Sequence, residues 1–170
     1  MKRILPMLLC CLLVCGCTAA DPVPTQTSPT APPPEITPVI TEAPVTEPPG
    51  LVFTLYRGNE NADGFVSEEV TVTEITYETV LEKLIDASVM PDTVTINSFS
   101  AEGNQLNIDF NQSFYDYLCT MGTSGELILI GSVVNTFLSA FQADSVFLTS
   151  DGEIMESGHV IYDFPIEYIQ

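Results

Sequence analysis

The stretch from Thr123 to Phe147 constrains the fold more than any other part of the chain, because it predicts a long helix followed by a strand. Thr123 and Glu126 match the Thr-x-x-Glu pattern of a capping box, which marks a helix start. Seven large apolar side chains then recur at the three-and-four spacing of one broad helix face. They are Leu127, Ile130, Val133, Val134, Phe137, Leu138 and Phe141. Such a face must pack against a sheet, and residues 145–149 offer the nearest strand.

The opposite side of this helix carries uncharged polar residues, namely Ser132, Asn135, Ser139 and Gln142. Residues 127–143 contain no charge, but their 17 residues lie at the short limit for a membrane span, and the polar stripe favours a half-covered globular helix. Charge depletion is also typical of the core of a protein interface. We therefore interpret these four residues as a candidate interaction surface, and coverage by the domain's own tail remains the alternative.

The N-terminus has the pattern of a secretory signal. Residues 1–3 are basic at Lys2 and Arg3, residues 4–14 are apolar but too short to span a membrane, and Cys15-Gly-Cys17 follows. Residues 14–17 resemble the bacterial lipobox. That resemblance implies a lipoprotein signal peptide over residues 1–16 and a lipid anchor at Cys17. Ordinary signal cleavage near residues 18–20 is the alternative.

The segment that follows is predicted to be a disordered linker. Residues 18–50 hold ten of the 13 prolines and no aromatic residue, a composition that favours extended polyproline geometry and cannot bury a core. With the lipidated cysteine, the linker covers residues 17–50. The globular domain then covers residues 51–170, which is long enough for one hydrophobic core.

Net charge excludes one class of partner. Without residues 1–16 the chain keeps Arg57 and Lys83 against 23 carboxylates, a net charge of −21. A field of that sign repels phosphate backbones. We expect no nucleic-acid binding.

Motifs that carry metal or catalytic chemistry are incomplete. The loop Asn59–Gly64 matches the first half of an EF-hand loop, but the glutamate required at the twelfth position is Val70. A looser cation site at Asp63, Glu68 and Glu69 and a solvated acidic loop remain as alternatives. His159 is the single histidine, and the sequence contains neither a Gly-x-Ser-x-Gly nor a Ser-x-x-Lys nucleophile motif. We expect a non-enzymatic protein without a metal or cofactor.

The remaining elements predict a small α+β domain. Two extended runs at residues 52–56 and 65–73 precede a helix with Thr76 as its N-cap, and alternating apolar residues predict a hairpin over residues 94–110. Together with the long helix and its strand, this order predicts a mixed sheet of about four to six strands with two helices on one face.

Three segments resemble the GerMN domain family of sporulation and germination proteins. They are Ser132-Val-Val-Asn-Thr-Phe137, Ser145-Val-Phe-Leu-Thr-Ser-Asp-Gly152 and Gly158-His-Val-Ile-Tyr-Asp-Phe-Pro165. The resemblance covers about residues 51–167. It implies an α/β domain similar to ring-building motifs, in a membrane-tethered protein outside the cytoplasm, with no established catalytic residues.

These inferences predict a lipid-anchored protein on the outer face of a bacterial membrane. Its domain acts as a non-catalytic interaction or assembly module, with a link to sporulation or germination that the family resemblance implies. The expected partners are envelope proteins, and a homo-oligomer is possible. A ligand-sensing or substrate-binding lipoprotein is the alternative.

Overall fold

A computed structural model describes residues 50–170 of the chain. The proposed signal peptide, Cys17 and the linker up to residue 49 lie outside the described residues. Five strands and three helices follow one another in the described part. They are β1 (Leu51–Gly58), β2 (Phe65–Val72), α1 (Tyr77–Asp86), β3 (Ile96–Glu102), β4 (Gln105–Phe110), α2 (Gln112–Cys119), α3 (Thr123–Phe141) and β5 (Ser145–Ser150).

The strands form two sheets instead of one. β1 and β2 make an antiparallel hairpin in continuous register from the Leu51–Val72 pair to the Gly58–Phe65 pair. The second sheet has the order β3-β4-β5, with β3 antiparallel and β5 parallel to β4. The α+β class is therefore confirmed, whereas the strands divide between two sheets because α3 takes the position beside β1 that another strand would need.

Local signals placed several element boundaries correctly. Thr76 caps α1 as predicted, since its hydroxyl accepts a hydrogen bond of 3.1 Å from the backbone N–H of Thr79. The predicted hairpin forms from β3 and β4. The sequence did not predict α2, whose buried Phe114 and Leu118 face the core, because a helix of 8 residues offers little periodicity.

The predicted capping box at the start of α3 is wrong. Gly122 is the N-cap, Thr123 is already helical, and no side-chain cap bond is present. Glu126 turns inward and is 3 % exposed. The Glu126 side chain binds Tyr162, which is distant in the sequence, and therefore does not cap the start of α3.

α3 is the central helix of the domain. It satisfies the length and hydropathy criteria for a membrane span, but 67% of its most apolar window is buried among the other elements. Val133, Val134 and Phe137 have no exposed surface. Leu127, predicted to lie on the core face, is instead 51% exposed. Burial on nearly all sides therefore explains the apolar sequence of α3 without a membrane.

Candidate protein-interaction site

Hydroxyl groups on the polar side of α3 accept hydrogen bonds from the free edge of β1. β1 pairs with β2 along one side, and its other side faces α3. The backbone N–H of Thr54 donates to Ser139 Oγ at 2.8 Å, and that of Tyr56 donates to Thr136 Oγ1 at 2.9 Å. Two hydroxyl groups thus satisfy backbone donors that a neighbouring strand would otherwise bind.

Asn135 binds the C-terminal tail in the same way. Its Nδ2 donates to the carbonyl of Ile169 at 2.7 Å, and its Oδ1 accepts from the backbone N–H of Ile169 at 2.9 Å. The amide therefore copies the pairing of a β-strand neighbour. Asn135 itself is 1% exposed.

Burial corrects the candidate interaction surface at Ser132 and Asn135, whereas at Ser139 and Gln142 it stays a prediction. Ser132 and Asn135 are buried inside the domain, Ser139 is half-buried against β1, and Gln142 is an exposed helix-terminal residue with a φ of 54°. Ser132 and Asn135 present no surface to a partner. Charge depletion on this stripe reflects coverage by the domain's own strand and tail, the alternative that the sequence left open.

Glu126 provides a second attachment for the tail. Its Oε1 accepts hydrogen bonds from the hydroxyl groups of Tyr162 and Ser157, both at 2.5 Å. Burial, followed by the hydrogen bond to Glu126, raises the pKa of Tyr162 far above its ordinary value. The phenol therefore remains protonated and a donor at physiological pH.

A third attachment joins the tail to β5. Val146 and Ile166 exchange two backbone hydrogen bonds of 2.9 and 2.8 Å. Residues 157–170, the tail, are thus tied to the domain at Tyr162, Ile166 and Ile169. Three separated attachments fix its course along α3.

An apolar groove of about 370 Å³ lies between α3 and the tail, and we call it the tail groove. Leu127 is 51%, Phe164 47% and Val160 37% exposed, so its walls offer large apolar side chains to solvent. Concentration of such side chains in one place marks interaction sites on soluble domains. The residues lining it are Leu127, Ile130, Val160, Tyr162, Phe164, Pro165, Ile166, Glu167 and Ile169.

Sequence reasoning missed this groove, although most of its tail wall lies in the segment Gly158–Pro165 that resembles the family. The segment that contains Val160 and Phe164 carries the family resemblance but no surface signal, and the spacing of Leu127 predicts a position in the core. One signal in the sequence could have indicated the groove. The helix α3 is apolar around more of its circumference than one sheet can cover. Which of those sides remains open depends on the course of the tail.

In the described part of the chain, His159 and the EF-hand-like loop belong to turns. His159 is exposed, and its backbone N–H donates to Ser157 Oγ at 3.2 Å. Asn59 organises the EF-hand-like loop by accepting from Asn61 and Asp63, so this loop closes the β1–β2 hairpin. Within residues 50–170, no three His, Cys, Asp or Glu side chains are grouped to hold a metal ion, and the looser cation site is not formed.

Asp109 shows how carboxylates in this domain are used. Its Oδ1 accepts from the Thr149 hydroxyl at 2.6 Å and the Gly152 N–H at 2.7 Å, and its Oδ2 accepts from Asn97 at 3.2 Å. Burial raises the pKa of Asp109, but these hydrogen bonds outweigh it and lower the pKa overall. Asp109 therefore joins β4, β5 and the turn after β5 as a structural anion.

Comparison with known proteins identifies the family. The Germane family model, described as sporulation and spore germination, matches residues 54–156, more than half of the chain. The chain belongs to the Germane family. The tail begins beyond the matched residues, so the whole tail wall of the groove is outside the family match. No curated protein matches the chain.

A solved structure from the same family supports the Germane fold. The tandem GerMN domains of the sporulation protein GerM from Bacillus subtilis match with a TM-score of 0.50 and 15% identity, over 71% of this chain and 45% of that chain. This chain thus spans less than half of the GerM chain. A candidate lipoprotein from Clostridium perfringens matches with a TM-score of 0.48 and 15% identity, over 70% of this chain and 88% of that chain.

Proposed function

We propose that this Germane-family chain is a lipid-anchored protein on the outer face of a bacterial membrane. Its domain acts as a non-catalytic interaction module that serves sporulation or spore germination, with the tail groove as the docking surface. The family description supports the process. The lipobox-like Cys17 supports the anchor.

The tail groove is the observation on which the docking role rests. Its tail wall is held in place by Glu126 and Asn135, so a partner would meet a formed surface and avoid much of the ordering cost of binding. Covering an exposed Leu or Phe side chain contributes about 1.5–3 kcal/mol. Leu127 and Phe164 would be the central contacts.

Charge identifies the chemistry of the partner. Glu167 lines the groove and Asp163 precedes Phe164, whereas neither Arg57 nor Lys83 lines it. A chain with 23 carboxylates repels a second copy of itself and attracts a basic surface. The proposed partner is therefore an envelope protein that inserts an apolar side chain flanked by Lys or Arg.

Photo-crosslinking in membranes tests the docking surface. A photoreactive residue at position 127 or 164 is expected to trap one partner protein, and the same residue at position 51 is not. Leu51 is a matched control because it is 50% exposed and does not line the groove. With the purified partner, Leu127→Glu is expected to weaken binding by about tenfold or more, because it places a charge in the apolar centre of the contact.

Leu51→Glu is expected to leave that affinity unchanged. Crosslinked adducts that contain a second copy of this chain would contradict a basic partner and would indicate self-association through the groove. Equal crosslinking from positions 51 and 127, or none from position 127, would refute the groove as a docking surface.

The anchor is tested separately by Cys17→Ser. Loss of the thiol removes the lipid site, so the chain is expected to move from the membrane fraction to the soluble fraction when cells are fractionated. Mass spectrometry of the unchanged chain should show a diacylglycerol adduct on the N-terminal cysteine. Membrane retention of Cys17→Ser would contradict the lipid anchor and leave the groove proposal intact.

A further inference from the structure

A second pocket, separate from the tail groove, opens beside Arg57. Its volume is about 280 Å³, and it lies where the β1–β2 loop, the loop after α1, the end of α2 and the start of α3 meet. Met121, Ile128 and Leu129 supply apolar wall, and Arg57 and Ser132 supply polar groups. The volume is slightly below the range for small-molecule sites, about 300–1,000 Å³, so only a small ligand would fit.

Arg57 is an unusual group in this acidic domain. The other cation of the described residues, Lys83, pairs with Asp86 at 3.0 Å and with Glu82 at 3.7 Å. Arg57 makes no ion pair with any residue from 50 to 170, and no carboxylate from that range lines the pocket. Arg57 is exposed, so its guanidinium stands at the mouth of a pocket that no described carboxylate lines, where an external anion can reach it.

Ser132 supplies an independent second observation. It lines the same pocket, is 0% exposed, and its Oγ has no hydrogen-bond partner among the described residues. Burying a polar oxygen without a partner costs free energy, and two side-chain oxygens of the described residues are in this state, Ser132 Oγ and Glu126 Oε2. Ser132 is the one of the two residues that lines this pocket. A ligand oxygen would provide the missing partner.

We propose that this pocket binds a small monocarboxylate with a short apolar body. Arg57 pairs with the carboxylate, Ser132 donates a hydrogen bond to the ligand, and Ile128 and Leu129 contact the apolar part. Because Ser132 Oγ is closed to solvent, the ligand reaches it when a wall side chain moves, and Met121 is the most adaptable of these. This site supports the ligand-sensing alternative and does not depend on the tail groove.

The charge of the ligand follows from the charge of the protein. A phosphate monoester carries about −1.5 to −2 at neutral pH, and the strongly acidic chain repels a second negative charge. A single carboxylate obtains the full ion pair with Arg57 at a smaller repulsive cost. The apolar wall favours an aliphatic or aromatic body over a sugar.

Calorimetric titration with hexanoate tests the site, using the full chain with Cys17→Ser to avoid lipid. Hexanoate is expected to bind at one site, with hexanamide and hexyl phosphate each about tenfold weaker, because the first lacks the charge and the second is repelled. Arg57→Gln should weaken hexanoate binding about tenfold, and Lys83→Gln, which removes the same charge elsewhere, should change it less than about twofold.

Ser132→Ala provides a readout that a purely structural serine would not give. Hexanoate affinity is expected to fall about threefold or more, while the melting temperature stays equal or rises, because a buried hydroxyl without a partner is removed. Leu127→Glu should leave hexanoate binding unchanged, which separates this site from the groove. The proposal would be overturned by a hexanoate titration that does not saturate. It would also be overturned by equal losses of hexanoate affinity in Arg57→Gln and Lys83→Gln, or by tighter binding of hexanamide or hexyl phosphate than of hexanoate.

Discussion

Glu126→Ala is expected to destabilise the domain by about 2–4 kcal/mol, the largest loss that we expect from one substitution. Glu126 is 3% exposed and accepts from the hydroxyl groups of Tyr162 and Ser157. Alanine leaves the buried Tyr162 donor without an acceptor and opens a cavity beside α3. Urea unfolding of the wild-type chain and the variant measures the difference in the free energy of unfolding.

Two further variants separate the hydrogen bond from the lost volume. Glu126→Gln keeps the side-chain length and one acceptor oxygen, so its cost should be smaller. Glu126→Met combined with Tyr162→Phe removes both partners and keeps their volume, and should recover much of the loss. If the midpoint of urea unfolding is the same for Glu126→Ala and the wild-type chain, Glu126 does not hold the tail.

The same substitution connects stability with the proposed docking role. The tail wall of the groove contains Val160 and Phe164, which lie on either side of Tyr162. When Glu126 no longer binds Tyr162, hydrogen exchange should rise first in residues 157–164, before α3 itself opens. Crosslinking from position 127 should decrease in parallel, although Leu127 is unchanged.

The sequence predicted the elements whose determinants are local. Thr76 caps a helix because its partner lies three residues away, and β3 and β4 pair across a short turn. The apolar face of α3 specified a central helix for the same reason. These signals require no knowledge of distant segments, which explains why the order of β1, β2, α1, the hairpin, α3 and β5 was predicted correctly.

Contacts between distant segments decided what the sequence did not predict. Glu126 matched a cap three residues from Thr123, but its actual partner, Tyr162, lies 36 residues away. Asn135 looked like a charge-depleted surface because its partner, Ile169, lies 34 residues away. The candidate site depends on the path of the tail, and that path depends on these pairs. The uncharged stripe was a correct signal of coverage, and at Asn135 the covering segment is the domain's own tail, the alternative that the sequence left open.

The close approach of the β1–β2 hairpin to α3 depends on Gly131. A Cβ at this position would lie 2.2 Å from Cζ and 2.7 Å from Cε1 of Phe65. Gly131→Ala should therefore destabilise the domain by about 1–3 kcal/mol, because overpacking against an aromatic ring exceeds the gain of about 1 kcal/mol in helix propensity. Urea unfolding provides the measurement.

Gly125→Ala is the matched control in the same helix. Its Cβ would meet the flexible Met121 side chain, with Sδ at 3.0 Å, so it should be neutral or stabilising by up to about 1 kcal/mol. Phe65→Leu should reduce the cost of Gly131→Ala, since the smaller side chain leaves room for the methyl group, and the double-mutant cycle should show that coupling. Additive effects of Phe65→Leu and Gly131→Ala would mean that the ring does not limit residue 131.

The same close approach brings the backbone N–H groups of Thr54 and Tyr56 to hydroxyl groups of α3. If Gly131→Ala displaces the hairpin, those two amides should lose protection from hydrogen exchange.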